Sequence, residues 1–520
     1  MQEDVDRTSR WRYLGLVGIL VMAGCLRWGD LTTHGLTWDE LYHVAVAKLS
    51  FSEIGHFLYR RDSHPAASYM LVKLWLLFFP ENDMAVRAYA WFWGLLGIWG
   101  SYWLATDLTQ SWRVGLVTAL LTVFSPLLVK YHYLSTMFGV YYTTVIFSWL
   151  FLLKSLRAAR GERSSSLLGI RWFWLYLLTT LIAIHLHAAA FLLLFFEALY
   201  LVSRANEINQ KRLSELLITG LLLSLSTIPH LLHYFHPWHI AHTSEQATVR
   251  QPATLGYFLM GPAHFLFLRA ENHPLEADLP IGYAVIVGMG VLAGCVYLFS
   301  AFQKKHAPKD FNLLLCMGVW PLLIVYLLSK ALSVNIYQLR SLLFVVFPLH
   351  LAFAVWLRHV YRQYCHVLIP TALLALFVLL QTHCPFQGPL RHELWREQGL
   401  LLKKNFQPGD GLVVLNNYHL GILWYFRPQE FGWNHREKSY DPTRENFYHM
   451  VIKNSDRDFF VSGDDTISKH STLIAFKRFQ ASKKALWFVG YSAPLVSAVD
   501  CRKKVFLLNG DKIVRGECHG

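Results

Sequence analysis

The chain has 520 residues, of which 54% are hydrophobic and only 16% are charged, and its mean hydropathy is positive. This composition excludes an ordinary soluble protein. The net charge of +14 would suit a nucleic-acid-binding protein, but the Lys and Arg residues cluster in short loops beside apolar blocks, so we expect no nucleic-acid partner.

The apolar residues form blocks of the length that a helix needs to cross a bilayer, roughly 20 residues. These blocks have almost no polar face, which disfavours the alternative of a large buried helical core. The stretch 172–203 is too long for one helix and predicts two short helices that meet in a hairpin at His185–His187. The other predicted blocks are 11–29, a shorter one at 66–79, 86–106, 113–130, 135–153, 213–234, 281–302, 311–331, 340–357 and 366–383.

The distribution of basic residues predicts the orientation of the chain. Under the positive-inside rule, a loop at 30–65, a His-rich loop at 235–280 and the tail after residue 384 lie outside. An N-terminus inside and a tail outside require an odd number of crossings, about eleven, so the block at 66–79 is expected to lie in the interface or to re-enter. The first block lacks a cleavage site and is predicted to be a retained helix. The basic segments assigned to the cytoplasmic side are 7–12, 154–171, 204–212, 304–309 and 358–362.

The composition changes near Thr382, where a Pro/Gly-bearing stretch begins. A helix is predicted at 392–405, and short apolar strands are predicted after it. This pattern predicts an α/β domain of about 130 residues, which would bind an acceptor or cap the external face. We therefore predict an α-helical polytopic membrane domain over residues 1–383 and a small extracytoplasmic α/β domain over 384–520. The predicted strands lie at 412–415, 459–461, 486–489 and 505–508.

The tail contains two cysteines, Cys501 and Cys518, which the sequence allows to be either free thiols or a disulfide. An oxidising compartment could join them in a disulfide. Both outcomes remain compatible with the sequence.

Adjacent carboxylates open the first external loop, at Asp39 and Glu40. They could simply belong to a helix start that Thr37 caps, where the helix dipole favours acidic residues. Alternatively, one carboxylate takes a proton from an incoming hydroxyl, and its neighbour orients it or holds a cation. The second interpretation predicts a catalytic site.

Asp62 and His64 close the same loop, directly before Pro65. They could add a carboxylate and an imidazole to the same pocket, or they could form a polar turn. Ionisable groups at a membrane face are costly and tend to be functional.

Arg340 lies at the predicted outer end of an apolar block. Arginine grips a phosphate with two parallel hydrogen bonds, so Arg340 is a candidate for binding a lipid phosphate. It could instead snorkel to the lipid headgroups. His185 and His187 also face outward in the predicted topology, with a structural role as the alternative.

The order of these residues along the chain resembles the pattern of the dolichyl-phosphate-mannose–protein mannosyltransferase-like family. That family is a branch of the GT-C glycosyltransferases that includes the lipid A aminoarabinose transferase. The elements that carry the resemblance are Trp38–His43, Asp62–Tyr69, Arg87, Ser125–Pro126, Ile184–His187, Leu339–Leu342 with Pro348 and, in the tail, Leu394–Arg396, Pro408–Asp410 and Trp424–Tyr425. The sequence departs from the family at Leu134–Phe138, where an acid and an arginine are commonly found, and at Ala66, where a second proline is common.

The resemblance implies an inverting transfer of a sugar from polyprenyl phosphate to a hydroxyl of a glycan, lipid or protein, outside the plasma (inner) membrane. Asp39 would be the general base, and Glu40 would position it. Glu40 and Asp62 would hold any divalent cation, Mg²⁺ or Mn²⁺, which prefer oxygen ligands. Asp62, His64, Arg87, His187 and Arg340 would bind substrate, with Arg340 on the leaving phosphate.

Two other classes remain open from the sequence. A transporter or flippase of lipid-linked sugars would carry ionisable residues near the bilayer midplane and inverted repeats. A non-catalytic subunit of envelope assembly is compatible with the altered Leu134–Phe138 element. The sequence favours the transferase.

Overall fold

The computed structural model of the chain describes residues 2–28, 31, 35–55, 65–161, 167–168, 170–205, 208, 210–228, 258, 265–266, 311–331, 339–364, 374, 395–415, 421–428, 459–462, 483, 485–489, 501–508 and 511–518. The chain divides into two compact units. The first unit contains Met1–Gly29, Asp62–Ser68 and Arg87–Pro389. The second contains Asp30–Arg61, Tyr69–Val86 and Leu390–Gly520.

Helices dominate the described part of the chain up to residue 364. Three shorter segments adjoin these helices: a 3-10 turn at Ala188–Ala190, a π-helical turn at Leu315–Val319 and a 3-10 segment at Leu339–Val345. The helices are α1 (Gln2–Trp28), α2 (Trp38–Ala47), α3 (Ala67–Leu76), α4 (Asp83–Thr109), α5 (Trp112–Phe124), α6 (Pro126–Tyr133), α7 (Met137–Gly161), α8 (Arg171–Ile184), α9 (Phe191–Ser203), α10 (Gln210–Ser226), α11 (Phe311–Leu314), α12 (Trp320–Ala331), α13 (Val346–Tyr364), α14 (Trp395–Asn405) and α15 (Ile422–Phe426).

Three of the described stretches are long and apolar enough to cross a membrane: Met137–Ala159, Asn312–Ala331 and Arg340–Tyr361. A fourth results if α5 and α6 count as one bent span. These two helices meet at 68°, because Pro126 has no N–H to continue the helix and its ring clashes with the preceding turn. The block predicted at 113–130 is therefore two helices. The predicted blocks at 281–302 and 366–383 lie outside the described residues, apart from residue 374, and the number of crossings stays a prediction.

The predicted break inside 172–203 is confirmed. Helix α8 ends at Ile184 and α9 begins at Phe191. The two helices contact each other, since the Tyr176 hydroxyl donates to the buried Glu197 carboxylate at 2.9 Å. Ser148 of α7 donates to the same carboxylate at 2.5 Å, so one buried acid links three helices.

The core of the first unit includes a cluster shared by α1, α4 and α5. Its buried members come from all three helices: Leu16, Ala23, Ile98, Tyr102, Ala119 and Val123. Trp11, Leu14 and Val21 of α1 are instead exposed. One side of α1 therefore packs on protein and the other presents apolar groups outward, as in a helix that lies against lipid.

A row of glycines on α4 lets two neighbouring segments approach closely. A Cβ added at Gly94 would lie 2.6 Å from the ring of His132, and one at Gly97 would lie 2.7 Å from the Thr143 hydroxyl. The Thr143 hydroxyl donates to the Trp93 carbonyl of α4 at 2.8 Å. Small residues at such crossings are how membrane helices pack against each other.

Gly94→Ala should lower the stability of the protein by about 1–3 kcal/mol, the usual cost of overpacking a core. The added methyl group would also meet the His132 Cβ at 2.7 Å, and this atom is too close to the backbone to rotate away. The measurement is the midpoint of thermal unfolding in detergent. Gly18→Ala is the matched control, because a Cβ at Gly18 of α1 meets nothing within 4 Å. Equal midpoints for the two variants would contradict the close packing.

The second unit contains a five-stranded sheet with the order β2-β1-β3-β5-β4 among the described residues. Strand β1 pairs parallel with β2 and β3, and β5 pairs antiparallel with β3 and β4. The strands are β1 (Asp410–Leu415), β2 (Phe459–Ser462), β3 (Ala485–Val489), β4 (Cys501–Leu508) and β5 (Asp511–Cys518). Each of the four strands expected from the sequence lies within one of them, and β5 was not predicted.

The register of the last two strands pairs the backbone of Cys501 with that of Cys518. Residues directly opposite each other in an antiparallel pair have Cα atoms about 4.5–5.5 Å apart, which falls within the range of disulfides. The register is compatible with a disulfide and with two free thiols. Comparing the electrophoretic mobility of the chain before and after reduction would distinguish them.

The second unit is not built from the tail alone. It also includes α2, most of α3 and the first turn of α4. The first loop of the sequence and the tail thus belong to the same compact unit, although more than 300 residues separate them along the chain. The predicted division of the chain at residue 383 stays a prediction.

Candidate active site

Helix α2 begins with a capping box that involves Glu40. The Thr37 N–H donates to Glu40 Oε2 at 2.8 Å, and the Glu40 N–H donates to Thr37 Oγ1 at 3.4 Å. The Glu40 side chain is fully buried. Reciprocal bonds of this kind satisfy two N–H groups that the first turn leaves without helical partners. Glu40 therefore fixes where α2 starts.

Asp39 is the neighbouring carboxylate and is exposed. It lies in the first turn of α2, where the helix dipole favours a negative charge. Its backbone carbonyl accepts a hydrogen bond from His43 Nδ1 at 2.7 Å, which requires the proton of that imidazole to be on Nδ1. Glu40 is thus a buried carboxylate that stabilises the start of the helix, and Asp39 is an exposed carboxylate that a substrate can reach.

Aromatic side chains surround this helix start. The His43 ring stacks on Tyr69 with centroids 4.8 Å apart, and Trp38 meets Trp395 edge-on at 6.2 Å. Tyr42 lies between these contacts, 6.5 Å from Trp38 and 6.2 Å from Tyr69. Because Trp395 belongs to α14, the tail takes part in holding α2.

A second contact between the tail and the first loop is centred on Asp83. Its carboxylate accepts hydrogen bonds from Trp424 Nε1 at 2.9 Å and from the Tyr425 hydroxyl at 3.1 Å. The Tyr425 hydroxyl oxygen in turn accepts the Leu36 N–H at 2.6 Å. Asp83, Tyr425 and Leu36 thus form a chain of bonds that ends three residues before Asp39. Asp83 was not among the candidate residues expected from the sequence.

In the first unit, His187 lies in the break between α8 and α9. Its Nδ1 accepts the Ala189 N–H at 3.1 Å. A nitrogen that accepts carries no proton, so the proton of the neutral imidazole is on Nε2, which is then a hydrogen-bond donor. The ring stacks on Tyr141 at 5.5 Å and lies 5.4 Å from Phe138.

Arg340 is the second residue of the 3-10 segment and lies beside the Phe138 ring. Its guanidinium carbon is 5.4 Å from the centroid of Phe138, within the distance of a cation–π contact. Arg340 is half-buried. The structure thus brings Arg340 and His187 to one ring, although more than 150 residues separate them in the sequence. Phe138 belongs to the Leu134–Phe138 element, where the sequence departs from the family.

Nearby, His185 has a different environment from His187. Its Nε2 lies 3.3 Å from the Ser226 hydroxyl of α10. His185 therefore connects the helix break to α10.

The other predicted site residues are Arg87, Asp62 and His64. Arg87 is almost fully buried in α4. Asp62 and His64 lie outside the described residues, so the predicted pairing of Asp62 with Glu40 around a cation stays a prediction. Within the described ranges there is no group of three or more His, Cys, Asp or Glu side chains that could hold a metal ion.

Solved structures with the same architecture identify the fold. ArnT from Cupriavidus metallidurans bound to undecaprenyl phosphate is 12% identical, with a TM-score of 0.57 over 98% of this chain and 98% of that chain. The archaeal oligosaccharyltransferase AglB from Archaeoglobus fulgidus, in complex with an inhibitory peptide and a dolichol-phosphate, is 11% identical, with a TM-score of 0.55 over 93% of this chain and 70% of that chain. The chain has the GT-C fold. The resemblance expected from the sequence is confirmed at this level.

The apo structure of the same ArnT gives a similar result, with 14% identity, a TM-score of 0.55 and 98% of both chains covered. No protein-family model matches the sequence, and no curated protein sequence matches it. The similarity to known proteins is therefore one of fold alone. This fold agrees with the apolar helices in showing a membrane protein.

Proposed function

We propose that the protein is an inverting glycosyltransferase that takes a sugar from a polyprenyl-phosphate carrier on the outer side of the membrane. Its fold is shared with proteins crystallised with undecaprenyl phosphate and with dolichol-phosphate. The observation that carries the proposal is the meeting of Arg340 and His187 on the ring of Phe138. A guanidinium and an N–H donor on one apolar ring suit the phosphate of a lipid carrier.

In the proposed reaction, the oxygen of an acceptor hydroxyl attacks the anomeric carbon of the sugar. The bond between that carbon and the phosphate oxygen breaks, and the electron pair leaves with the lipid phosphate. The proton of the hydroxyl passes to the Asp39 carboxylate, which acts as the general base. Attack from the side opposite the leaving group inverts the configuration at the anomeric carbon.

Glu40 is a positioning residue in this proposal. Its capping box fixes the first turn of α2 and therefore the place of Asp39. A divalent cation held by Glu40 and Asp62 is a further part of the proposal, and the reaction above does not depend on it.

Arg340 stabilises the charge that develops on the leaving phosphate, and the His187 Nε2–H donates to the same group. Both donors are held in place before the substrate arrives, one by the Phe138 ring and one by the Ala189 N–H. Donors that are already oriented need no reorganisation during the reaction, which is what makes them effective.

The proposal is tested with purified protein in nanodiscs, offered a panel of polyprenyl-phosphate sugars. Release of the free polyprenyl phosphate reports cleavage of the donor, whatever the acceptor. We expect polyprenyl phosphate to be released from at least one of these donors. We also expect this release to require Asp39. Movement of an intact lipid-linked sugar across a vesicle bilayer without release would instead identify a flippase.

The orientation gives a separate prediction. With the native cysteines removed, a cysteine at Ser165 should resist an impermeant reagent in intact cells, whereas one at Lys403 should react. The reason is the concentration of Lys and Arg at 154–171, which the positive-inside rule places in the cytoplasm. Lys403 is exposed on α14 of the tail, so its reaction depends only on sidedness. Labelling at Ser165 in sealed cells would reverse the orientation and place the active face inside.

A further inference from the structure

One buried acid of the first unit takes no part in the proposed reaction. Glu197 lies in the middle of α9 and is only 1% exposed. Its Oε1 atom is 2.5 Å from Ser148 Oγ, and its Oε2 atom is 2.9 Å from the Tyr176 hydroxyl. The Ser148 hydroxyl also lies 2.7 Å from Thr180 Oγ1. We call these four side chains, which come from α7, α8 and α9, the acid junction.

The acid junction lies at the depth of the hydrocarbon layer. Ser148 is the central residue of Met137–Ala159, one of the stretches long and apolar enough to cross a membrane. All four side chains of the junction are buried. A buried ionised carboxylate is strongly unfavourable unless a cation compensates it. Ionisable groups at this depth are therefore rare and tend to be functional.

No cation compensates Glu197 within the described residues. Its polar contacts there are two hydroxyls, and no Lys, Arg or His side chain is within ion-pair distance of it. On α7, Lys154 lies six residues beyond Ser148, but its ammonium contacts the rings of Trp103 at 5.0 Å and Trp172 at 4.6 Å. A carboxyl group that is buried without a cation takes up a proton instead of remaining charged.

The charged residues of the other helices near Glu197 lie toward helix ends, away from the acid junction. The titratable group that faces Glu197 directly is the Tyr176 hydroxyl. The charged residues of these helices in the described ranges are Arg171 at the start of α8, Lys211, Arg212 and Glu215 in the first two turns of α10, and Lys330 in the last turn of α12.

The acid junction is built on the same helices as the surroundings of His187. Tyr141, whose ring stacks on His187, is seven residues from Ser148 on α7, so the two share a face of that helix about 10 Å apart along its axis. Tyr176 and Glu197 belong to the two helices that flank the break containing His187. The junction therefore fixes both helices against α7, and with them the place of the imidazole.

We propose that Glu197 carries a proton at neutral pH and acts as an uncharged positioning residue that holds His187 in place. The role in donor binding rests on the function proposed above, whereas the protonation does not. In this state the acid O–H donates to Ser148, Ser148 donates to Thr180, and the other oxygen of the acid accepts from Tyr176. The acid is then hydrogen-bonded on both oxygens, and no charge is buried.

Infrared spectroscopy of the full-length protein tests the protonation directly. A protonated carboxyl group has a C=O stretching band that is separate from the bands of an ionised carboxylate. At pH 7, in a detergent without ester groups, we expect Glu197→Gln to lose one such band. Glu215→Gln is the matched control and should keep it, because Glu215 also accepts a bond, from the Leu167 N–H at 2.6 Å, but is only half-buried. Loss of an ionised-carboxylate band in Glu197→Gln would overturn the proposal.

The positioning role is tested by the binding of undecaprenyl phosphate to the protein in nanodiscs, which requires no turnover. Glutamine is neutral and has the shape of the protonated acid, so Glu197→Gln should bind within a few-fold of the parent. Glu197→Ala removes the junction and should weaken binding by about 10- to 100-fold, the value of one hydrogen bond to a charged group. Tyr176→Phe removes a single bond of the junction and should weaken binding less.

Unfolding midpoints are recorded for all variants, and Tyr176→Phe replaces Glu197→Ala if the alanine variant does not fold. Parent-like binding by the folded variants that break the junction would overturn the positioning role. Binding by Glu197→Gln as weak as that of Glu197→Ala would overturn the neutral acid, because an amide cannot replace a required charge. Parent-like binding of undecaprenyl phosphate without transfer from any donor would instead contradict the function proposed above and leave the role of Glu197 intact.

Discussion

Asp39→Asn is expected to reduce sugar transfer by about 10²–10⁴-fold, the range that a general base contributes. Asparagine keeps the shape of the side chain and its place in the first turn of α2 but cannot take up the proton of the acceptor. The exposed position of Asp39 allows an acceptor hydroxyl to reach it. If Asp39 served only the helix dipole, its replacement would cost about 0.3–1 kcal/mol in stability and leave transfer intact.

The measurement is the rate of polyprenyl-phosphate release by the purified variant, with the thermal unfolding midpoint recorded in parallel. Glu40→Gln is the matched control beside it. Glutamine retains a carbonyl oxygen that can accept the Thr37 N–H, so the capping box survives, and a change in transfer reports the charge of Glu40 alone. Transfer within a few-fold of the parent in Asp39→Asn would remove Asp39 from the mechanism. A large loss in Glu40→Gln would show that the charge of Glu40 is needed, as a cation site requires.

A second capping box in the same loop separates the two roles of such glutamates. Ser50 and Glu53 exchange the same reciprocal bonds, at 2.8 Å and 3.3 Å, on an exposed surface. Glu53→Ala and Glu40→Ala both remove a box, but only Glu40 lies beside the proposed base. Equal effects of the two on transfer would assign Glu40 to helix stability alone.

The helical architecture follows largely from the sequence, because the length and periodicity of apolar blocks are local properties. The break at His185–His187 was predictable for this reason, since 172–203 exceeds one span and polar residues interrupt it. The bend at Ser125–Pro126 has an equally local signal in the proline, although a single block was predicted at 113–130. Strand β5, in contrast, is rich in charges along 511–518 and gives no apolar run to find. It forms a strand by pairing with β3 and β4, which a local pattern does not contain.

The candidate site could also be predicted only in part, because several of its contacts join residues distant in sequence. Asp39, Glu40, His187 and Arg340 were identified from residue type and position, but the role of Glu40 in a capping box required the bond to Thr37. Phe138 was noted only as a departure from a family pattern, and its place between His187 and Arg340 depends on contacts distant in sequence. Asp83 had no signal of its own. A carboxylate at a helix start has an ordinary explanation, and its bonds to Trp424 and Tyr425 depend on the fold.

Arg340→Lys is expected to raise the donor concentration needed for half-maximal transfer by about 10- to 100-fold, since a hydrogen bond to a charged group contributes about 1.5–3 kcal/mol. Lysine keeps the positive charge but loses the planar fork that can bind two phosphate oxygens. It also loses the contact of the guanidinium with the Phe138 ring, so the remaining ammonium would be less well placed. The loss should appear mainly in the use of the donor, and the unfolding midpoint measured in parallel separates it from a loss of stability.

The experiment titrates the donor against parent and variant at a saturating acceptor concentration and compares their unfolding midpoints. Arg171→Lys is the control, because Arg171 also lies over an aromatic ring, 4.8 Å from Trp172, but is exposed at the start of α8. Phe138→Leu supplies a second variant, which keeps Arg340 and removes the ring that orients both it and His187. We expect this variant to weaken donor use as well, while Arg171→Lys leaves it unchanged. If Arg340→Lys titrated like the parent, Arg340 would be a headgroup-binding side chain, and the phosphate site would have to be sought among other donors.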